Sequence, residues 1–363
     1  MFDPTPEQAA ALAGFAARQD LVMQAGAGTG KTTTLRLLAD STPRRGLYLA
    51  FNKSVADEAA RTFPDRVRCA TAHSLAFRAV AAPYQHRLGG SRIPTHAVAT
   101  ALGITRPLSL GEGKVLEPWT LAHITLRTVR AYCWSADTEL TEDHVPLQRG
   151  AEEPRLHAEV ARAVLPLARR AWQDISAPAG TQIRFEHDHY LKMWQLTNPR
   201  LPGDYLLLDE AQDTNPVLES VIAAQHGHTQ LVLVGDSAQQ IYAWRGARDI
   251  MNRAPGTQLT LSQSFRFGPA LADEANLWLA ATGSTLRLSG HAGADTVIGP
   301  LPGADAVLCR TNTATLTEAI HHLSHNRSVA ITGGGTQLRA LALAARDLRA
   351  GRGTHHPELS LFM

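Results

Sequence analysis

Three spaced glycines, a lysine and a run of threonines stand together in QAGAGTGKTTTL, residues 24–35. Glycine lets backbone N–H groups wrap closely around phosphate oxygens. A helix beginning at the lysine would aim its positive dipole end at the same anions. Lys31 would then reach the β and γ phosphates, and Thr32 would place its hydroxyl on Mg²⁺. Ala25 occupies the first glycine position of the strict pattern, and Gly26, Gly28 and Gly30 still supply the freedom the turn needs. The alternative is a glycine-rich turn that happens to precede a helix.

A second cluster, LLLDEAQDTNP at 206–216, drives an apolar run into three carboxylates. Such a run reads as a strand buried on both faces of a parallel sheet, and acids at its carboxyl end sit where open α/β sheets bind ligands. Adjacent acids repel unless a cation or a proton relay uses them. Taken alone, the stretch also reads as a solvated loop leading into a helix start at Asp213–Pro216. Beside a phosphate loop the pair divides the work. Asp209 would hold Mg²⁺. Glu210 would take the proton of an attacking water as general base.

These residues need a scaffold, and strand–loop–helix units recur along the chain. DLVMQA (20–25) leads into the phosphate loop, GLYLAF (46–51) into NKSVADEAARTF, and RVRCATAHS (66–74) from strand to helix. DYLLLDEAQ (204–212), QLVLVGDS (230–237) and QLTLSQSFR (258–266) follow after a gap. Alternating strands and helices predict an α/β fold with a parallel sheet covered on both faces. The gap holds helix-like stretches such as EPRLHAEVARAVLPLARRAWQDI, so a mostly helical insertion is expected over 81–189. The first core would comprise 1–80 plus 190–262. A second unit would run over 263–363, with strands at DAVLCRT (305–311) and SVAITGG (328–334).

Composition bounds the alternatives. No apolar run reaches the length of a membrane-spanning helix, and the N-terminus has no basic start or apolar core of a secretory signal. Three cysteines, far apart and odd in number, fit reduced thiols in the cytoplasm and give no zinc spacing. A net charge of +2 does not itself announce a nucleic-acid binder. The histidine pairs at 321–322 and 355–356 lack metal-ligand spacing, and GGG at 333–335 lacks the Lys-Thr of a phosphate loop.

With GAGTGKT, LLLDEAQD and VGDSAQQIYAWRGA (234–247) in this order, the chain resembles a superfamily 1 DNA helicase of the UvrD/Rep type. AFNKS (50–54), TAHS (71–74) and SFR (264–266) agree. HYLKMWQL ahead of the acidic motif looks closest to the F-box DNA helicase branch and its bacterial relatives, without an F-box. The resemblance implies a RecA-like P-loop NTPase core with a helical insertion, followed by part of a second RecA-like domain. It implies ATP and Mg²⁺ as cofactors and single-stranded DNA, or DNA with a single-stranded tail, as partner. The nucleotide would be held by Gln8 on the adenine and by Gly26, Ala27, Gly28, Thr29, Gly30, Lys31, Thr32 and Thr33. Thr32 and Asp209 would carry the metal, with Asp236 organising the site beside it. Glu210, Lys31, Gln239 and Arg266 would act in hydrolysis, the last two by sensing or reaching the γ-phosphate.

Single strands are gripped by stacking on aromatics and by cationic contacts to the backbone. Phe51, Tyr242 and Trp244 are the aromatics matched by the resemblance, and Asn52, Lys53, His73 and Arg245 would contact backbone or sugar. For each aromatic the competing reading is core packing. For Gln8 it is a helix-start residue, and for Arg266 an ordinary surface arginine. The family's last motifs, including a second arginine for the γ-phosphate, do not occur in these residues. The expectation is therefore the N-terminal part of an ATP-dependent 3′–5′ helicase or translocase. The alternatives are a nucleotide-gated single-strand binder without effective turnover and a translocase that strips proteins from DNA.

Overall fold

The computed structural model describes residues 3–90, 93–111, 114–180, 182–241, 249–300, 303–332, 335–354 and 359. Two compact units divide the chain, residues 1–297 and residues 298–363.

The first unit opens with α1 (Pro6–Ala16), whose start is a capping box between Thr5 and Gln8. Strand β1 (Leu21–Ala25) runs through the phosphate loop into α2 (Lys31–Asp40). Next come β2 (Gly46–Ala50), α3 (Lys53–Thr62), β3 (Val67–Thr71) and the short α4 (Ala72–Ala76). Helices α5 (Thr95–Ala101), α6 (Pro118–Trp134), α7 (Pro154–Ser176) and α8 (His187–Leu196) follow, with a small antiparallel pair, β4 (Leu108–Ser109) and β5 (Val115–Leu116), between α5 and α6. The chain returns to the sheet with β6 (Tyr205–Leu208), α9 (Pro216–Ala223), β7 (Gln230–Gly235) and β8 (Thr257–Leu261), and then forms α10 (Pro269–Ala281).

Six strands make one sheet in the order β3-β2-β6-β7-β1-β8, and every neighbouring pair is parallel. The α/β fold expected from the alternating units is therefore the one observed. Period-two alternation decides what each face buries. Leu21, Met23, Tyr48, Tyr205, Leu207, Val232 and Val234 pack with Phe15 of α1, Leu35 and Leu38 of α2, and Ala56 and Ala59 of α3. Their chain neighbours Val22, Leu47, Leu49, Leu206, Leu208, Leu231 and Leu233 point the other way, into a larger core shared with α4 to α9. Residues of the helical stretch between β3 and β6 share that core with the sheet strands and with α9.

Two buried cations finish the ends of long helices in that layer. The Arg87 guanidinium donates to the carbonyls of Asp174, Ile175 and Ala177 at the end of α7, at 3.0, 3.0 and 2.7 Å. Fully buried Lys192 donates to the carbonyls of Ser135 and Asp137 just past α6. A cation at a helix C-terminus satisfies orphan carbonyls and the dipole together. Burial pushes the Lys192 ammonium down to about 8.

Unit 298–363 contains α11 (Asn312–Ser324) and α12 (Thr336–Arg349). The strands expected at 305–311 and 328–334 are absent from its described residues. Parallel strands need neighbours to pair every backbone group and to bury both faces, and here Val307, Leu308 and Val329 remain exposed.

Candidate active site

The described candidate residues for nucleotide chemistry lie at or just beyond the carboxyl ends of sheet strands, apart from Gln8 near the start of α1, as the strand order of an open α/β sheet directs. The phosphate loop leaves β1 with Gly28 at φ +74° and Gly30 at φ +77°, both left-handed. Only glycine takes that conformation without a penalty of about 1–2 kcal/mol. At Gly28 there is also no room, because an added Cβ would lie 2.6 Å from Ser264 Oγ and 2.7 Å from Arg266 Cβ. Inside the loop Thr29 Oγ1 donates to the Gly26 carbonyl at 2.9 Å. Lys31, Thr32 and Thr33 form the first turn of α2.

Strand β6 delivers the acids. Thr32 Oγ1 donates to Asp209 Oδ2 at 3.0 Å, and the Tyr48 phenol donates to the same oxygen at 2.8 Å. Asp209 is buried, and desolvation together with the neighbouring Glu210 charge raises its carboxyl above the usual range, against the hydrogen bonds from Tyr48 and Thr32. A hydroxyl and a carboxylate are the hard oxygen donors that suit Mg²⁺. A cation there would hold Asp209 ionised. The residues present therefore fit the metal.

Glu210 takes the left-handed conformation, φ 53° and ψ 45°, uncommon for a non-glycine residue and frequent where function demands a particular side-chain direction. Its N–H donates to Asp209 Oδ1 at 2.9 Å, and its Oε2 accepts from Gln212 Nε2 at 2.9 Å. Gln212 is nearly inaccessible. Its side-chain oxygen accepts from the Asp236 N–H at 2.9 Å, so one amide ties Glu210 to the end of β7. Gly235 makes this possible, since a Cβ there would meet Gln212 Oε1 at 2.5 Å. Asp236 is buried and accepts from Gln239 Nε2 at 2.6 Å.

Gln8 serves two neighbours. Its Oε1 accepts from the Thr5 N–H at 3.1 Å, and its Nε2 donates to Thr34 Oγ1 at 3.0 Å. Arg266 follows β8 and is exposed, and the adjoining Phe265 N–H donates to the Gly28 carbonyl at 2.9 Å. SFR and the phosphate loop are thus hydrogen-bonded neighbours. The start of α9 is capped by Asn215, whose Oδ1 accepts from the Leu218 N–H at 2.9 Å, so DTNP does lead into a helix.

Phe51 is 42% exposed at the end of β2 and is no core residue. Asn52 caps α3 through Val55 N–H at 2.9 Å, and Lys53 is exposed at the first position of that helix. TAHS forms a capping box in which Thr71 and Ser74 each accept the other's N–H at 3.1 Å, which sets His73 in the first turn of α4. His73 Nε2 lies 3.4 Å from Asp188 Oδ1 on α8. One cleft of about 480 Å³ is lined by Thr32, Asp209, Glu210 and Gln239 and also by Phe51 and Asn52. Tyr242, Trp244 and Arg245 lie outside the described residues.

Sequence reasoning passed over two residues of the site. Tyr48 sits inside an apolar strand, where a lone phenol is the only signal. Gln212 is the fourth letter of DEAQ, with no titratable group to draw the eye.

A family model described as AAA domain matches residues 8–245. The chain is 34% identical over 266 residues to F-box DNA helicase 1 of Gallus gallus, covering 70% of this chain and 25% of that protein. It is 31% identical over 376 aligned residues to F-box DNA helicase protein 1 of Schizosaccharomyces pombe, covering 94% of this chain and 42% of that protein. An 83-residue stretch is 37% identical to a probable DNA helicase II homolog of Mycoplasma capricolum, covering 21% of this chain and 12% of that protein. The chain thus spans less than half the length of these relatives. With a glycine loop, a hydroxyl and paired carboxylates converging at the sheet's carboxyl edge, and the match extending across most of that sheet, the chain belongs to the AAA domain family and is related to superfamily 1 helicases.

Proposed function

We propose that this chain binds ATP with Mg²⁺ and couples its hydrolysis to movement along single-stranded DNA in the 3′ to 5′ direction. The observation that carries this reading is the 3.0 Å contact between Thr32 and Asp209 with Glu210 held beside it by Gln212. That is a metal-binding pair next to a base. The DNA half rests on the helicase relatives and on the cleft that touches both Glu210 and Phe51.

Residues 24–33 cradle the phosphates, and Lys31 offsets their charge. Bound Mg²⁺ supplies electrostatic stabilisation to the transferring phosphoryl group. Glu210 accepts the proton of the attacking water, while Gln212 keeps the carboxylate aimed. Gln239 senses the γ-phosphate next to Asp236. Arg266, beside Gly28, completes the charge. Phe51, Asn52, Lys53 and His73 contact the strand, and the resemblance assigns Tyr242, Trp244 and Arg245 to the same role. In this reading residues 1–80 and 190–262 form the first core, and 263–363 belong to a second.

Strand displacement tests the directional claim. Duplexes carrying a 3′ or a 5′ single-stranded tail are incubated with the protein and ATP. ATP-dependent displacement confined to the 3′-tailed substrate is expected. Displacement only of the 5′-tailed duplex would reverse the polarity. No displacement, with DNA-stimulated hydrolysis intact, would leave translocation without unwinding.

A further inference from the structure

Helix α6 turns an aromatic and cationic stripe away from the core. Its buried residues, among them Leu121, Ile124, Thr128, Val129 and Tyr132, pack into the helical layer. Trp119, His123, Arg127, Arg130 and Trp134 fall on the remaining side, because residues 4, 8, 11 and 15 positions apart return to one face of a helix. Trp119 is 58% exposed, and His123, Arg127 and Arg130 are exposed as well. No acidic residue occurs within Pro118–Trp134. Exposed Glu117 stands at the N-cap, ahead of Trp119, and two further carboxylates come from the α8 end. Glu186 lies 3.7 Å from Arg130, and Asp188 Oδ2 accepts from Trp134 Nε1 at 2.9 Å. The first of these pairs is solvent-exposed and contributes little.

The second gives the stripe a direction. The other oxygen of Asp188 faces His73 at 3.4 Å, so the C-terminal end of the stripe meets the TAHS segment. We infer that the outer face of α6 is a second contact track for single-stranded DNA, extending away from His73 along the helical layer. Exposed tryptophan offers a stacking surface, and arginines without acids on the same helix offer backbone contacts. From Trp119 to Trp134 the stripe rises fifteen steps, about 22 Å, the length of about six phosphates of a stacked strand. This inference rests on the proposed DNA binding at Phe51 and His73 and adds to it a longer footprint.

The test measures binding of fluorescent single strands of about 6 and about 16 nucleotides, bracketing one site and the extended track. The parent chain, Trp119→Ala and Arg127→Ala are compared with Arg155→Ala, an exposed change on α7. Trp119→Ala should weaken the long strand about 5-fold or more and leave the short one unchanged. Arg127→Ala should flatten the salt dependence of the long strand by about 0.7 in log–log slope, one phosphate contact. Unchanged long-strand binding would remove the track and leave the His73 site standing. Equal weakening of both lengths, or a loss confined to blunt duplex, would also overturn it. If the parent binds neither strand, the DNA reading and the track fall together.

Discussion

At the scale of single residues, the site is decided by who holds Asp209. A buried carboxylate next to Glu210 is costly, and two hydroxyls make it tolerable. Tyr48→Phe removes one of them and changes little else in shape. Losing a donor to a charged, buried acceptor is worth about 1.5–3 kcal/mol. Chemical denaturation at neutral pH should register a loss of that order, and Mg²⁺-dependent nucleotide affinity should fall with it. An unchanged stability would mean that Asp209 does not depend on the phenol. The sequence pointed to Asp209, Glu210 and Thr32 because each carries an obvious group at a recognisable spacing. Gln212 and Tyr48 act through geometry that only the folded chain creates, one by bridging β6 to β7 and the other by crossing from β2 to β6.

Among the elements, β1, β6 and β7 were legible because apolar runs ending in glycine or acid have few other uses, while β2, β3 and β8 were legible from the helix or motif that follows each. The two expected beyond residue 300 are not strands among the described residues, since local composition supplies no partner strand. Helix α8 shows how an element carries a pH response. The His189 imidazole is buried against Phe185 and Trp172, and its Nδ1 accepts the Glu186 N–H at 3.0 Å. That acceptor exists only in the neutral ring. Burial pushes His189 down to about 4, against Asp188 beside it, from an ordinary 6.5. Between those values the unfolded chain binds a proton that the folded one refuses, so stability falls as pH drops from 6.5 towards 4. The loss is on the order of 2–3 kcal/mol. Asp188 adds a second loss at lower pH. Burial opposes its charge, but hydrogen bonds from His73 and Trp134 hold it at about 2, below its usual 3.8. Denaturation midpoints at pH 7 and pH 4.5 should therefore differ, and His189→Gln, which keeps a side-chain acceptor for the cap, should narrow the gap. An equal gap in the variant would exonerate His189.

For the whole molecule, a net charge of +2 is the near balance of 35 basic and 33 acidic residues. Asp209, Glu210 and Asp236 stand at the sheet's carboxyl edge, while Lys53 on α3 and Arg127 and Arg130 on α6 are exposed cations. Among the described residues no helix is long and apolar enough to cross a membrane. A cleft shared by Glu210 and Phe51 is the simplest physical route by which nucleotide state and strand contact could influence each other. The central claim is that Glu210 is the base of a DNA-stimulated ATP hydrolase. It is tested most directly by ATP turnover of this chain with and without single-stranded DNA, beside Glu210→Gln. The account predicts stimulated turnover in the parent and a fall of about 10²- to 10⁴-fold in the variant, with ATP and DNA still bound. Turnover by Glu210→Gln equal to the parent's would contradict it, and absent turnover in a parent that binds both ligands would make the chain a nucleotide-gated DNA binder instead.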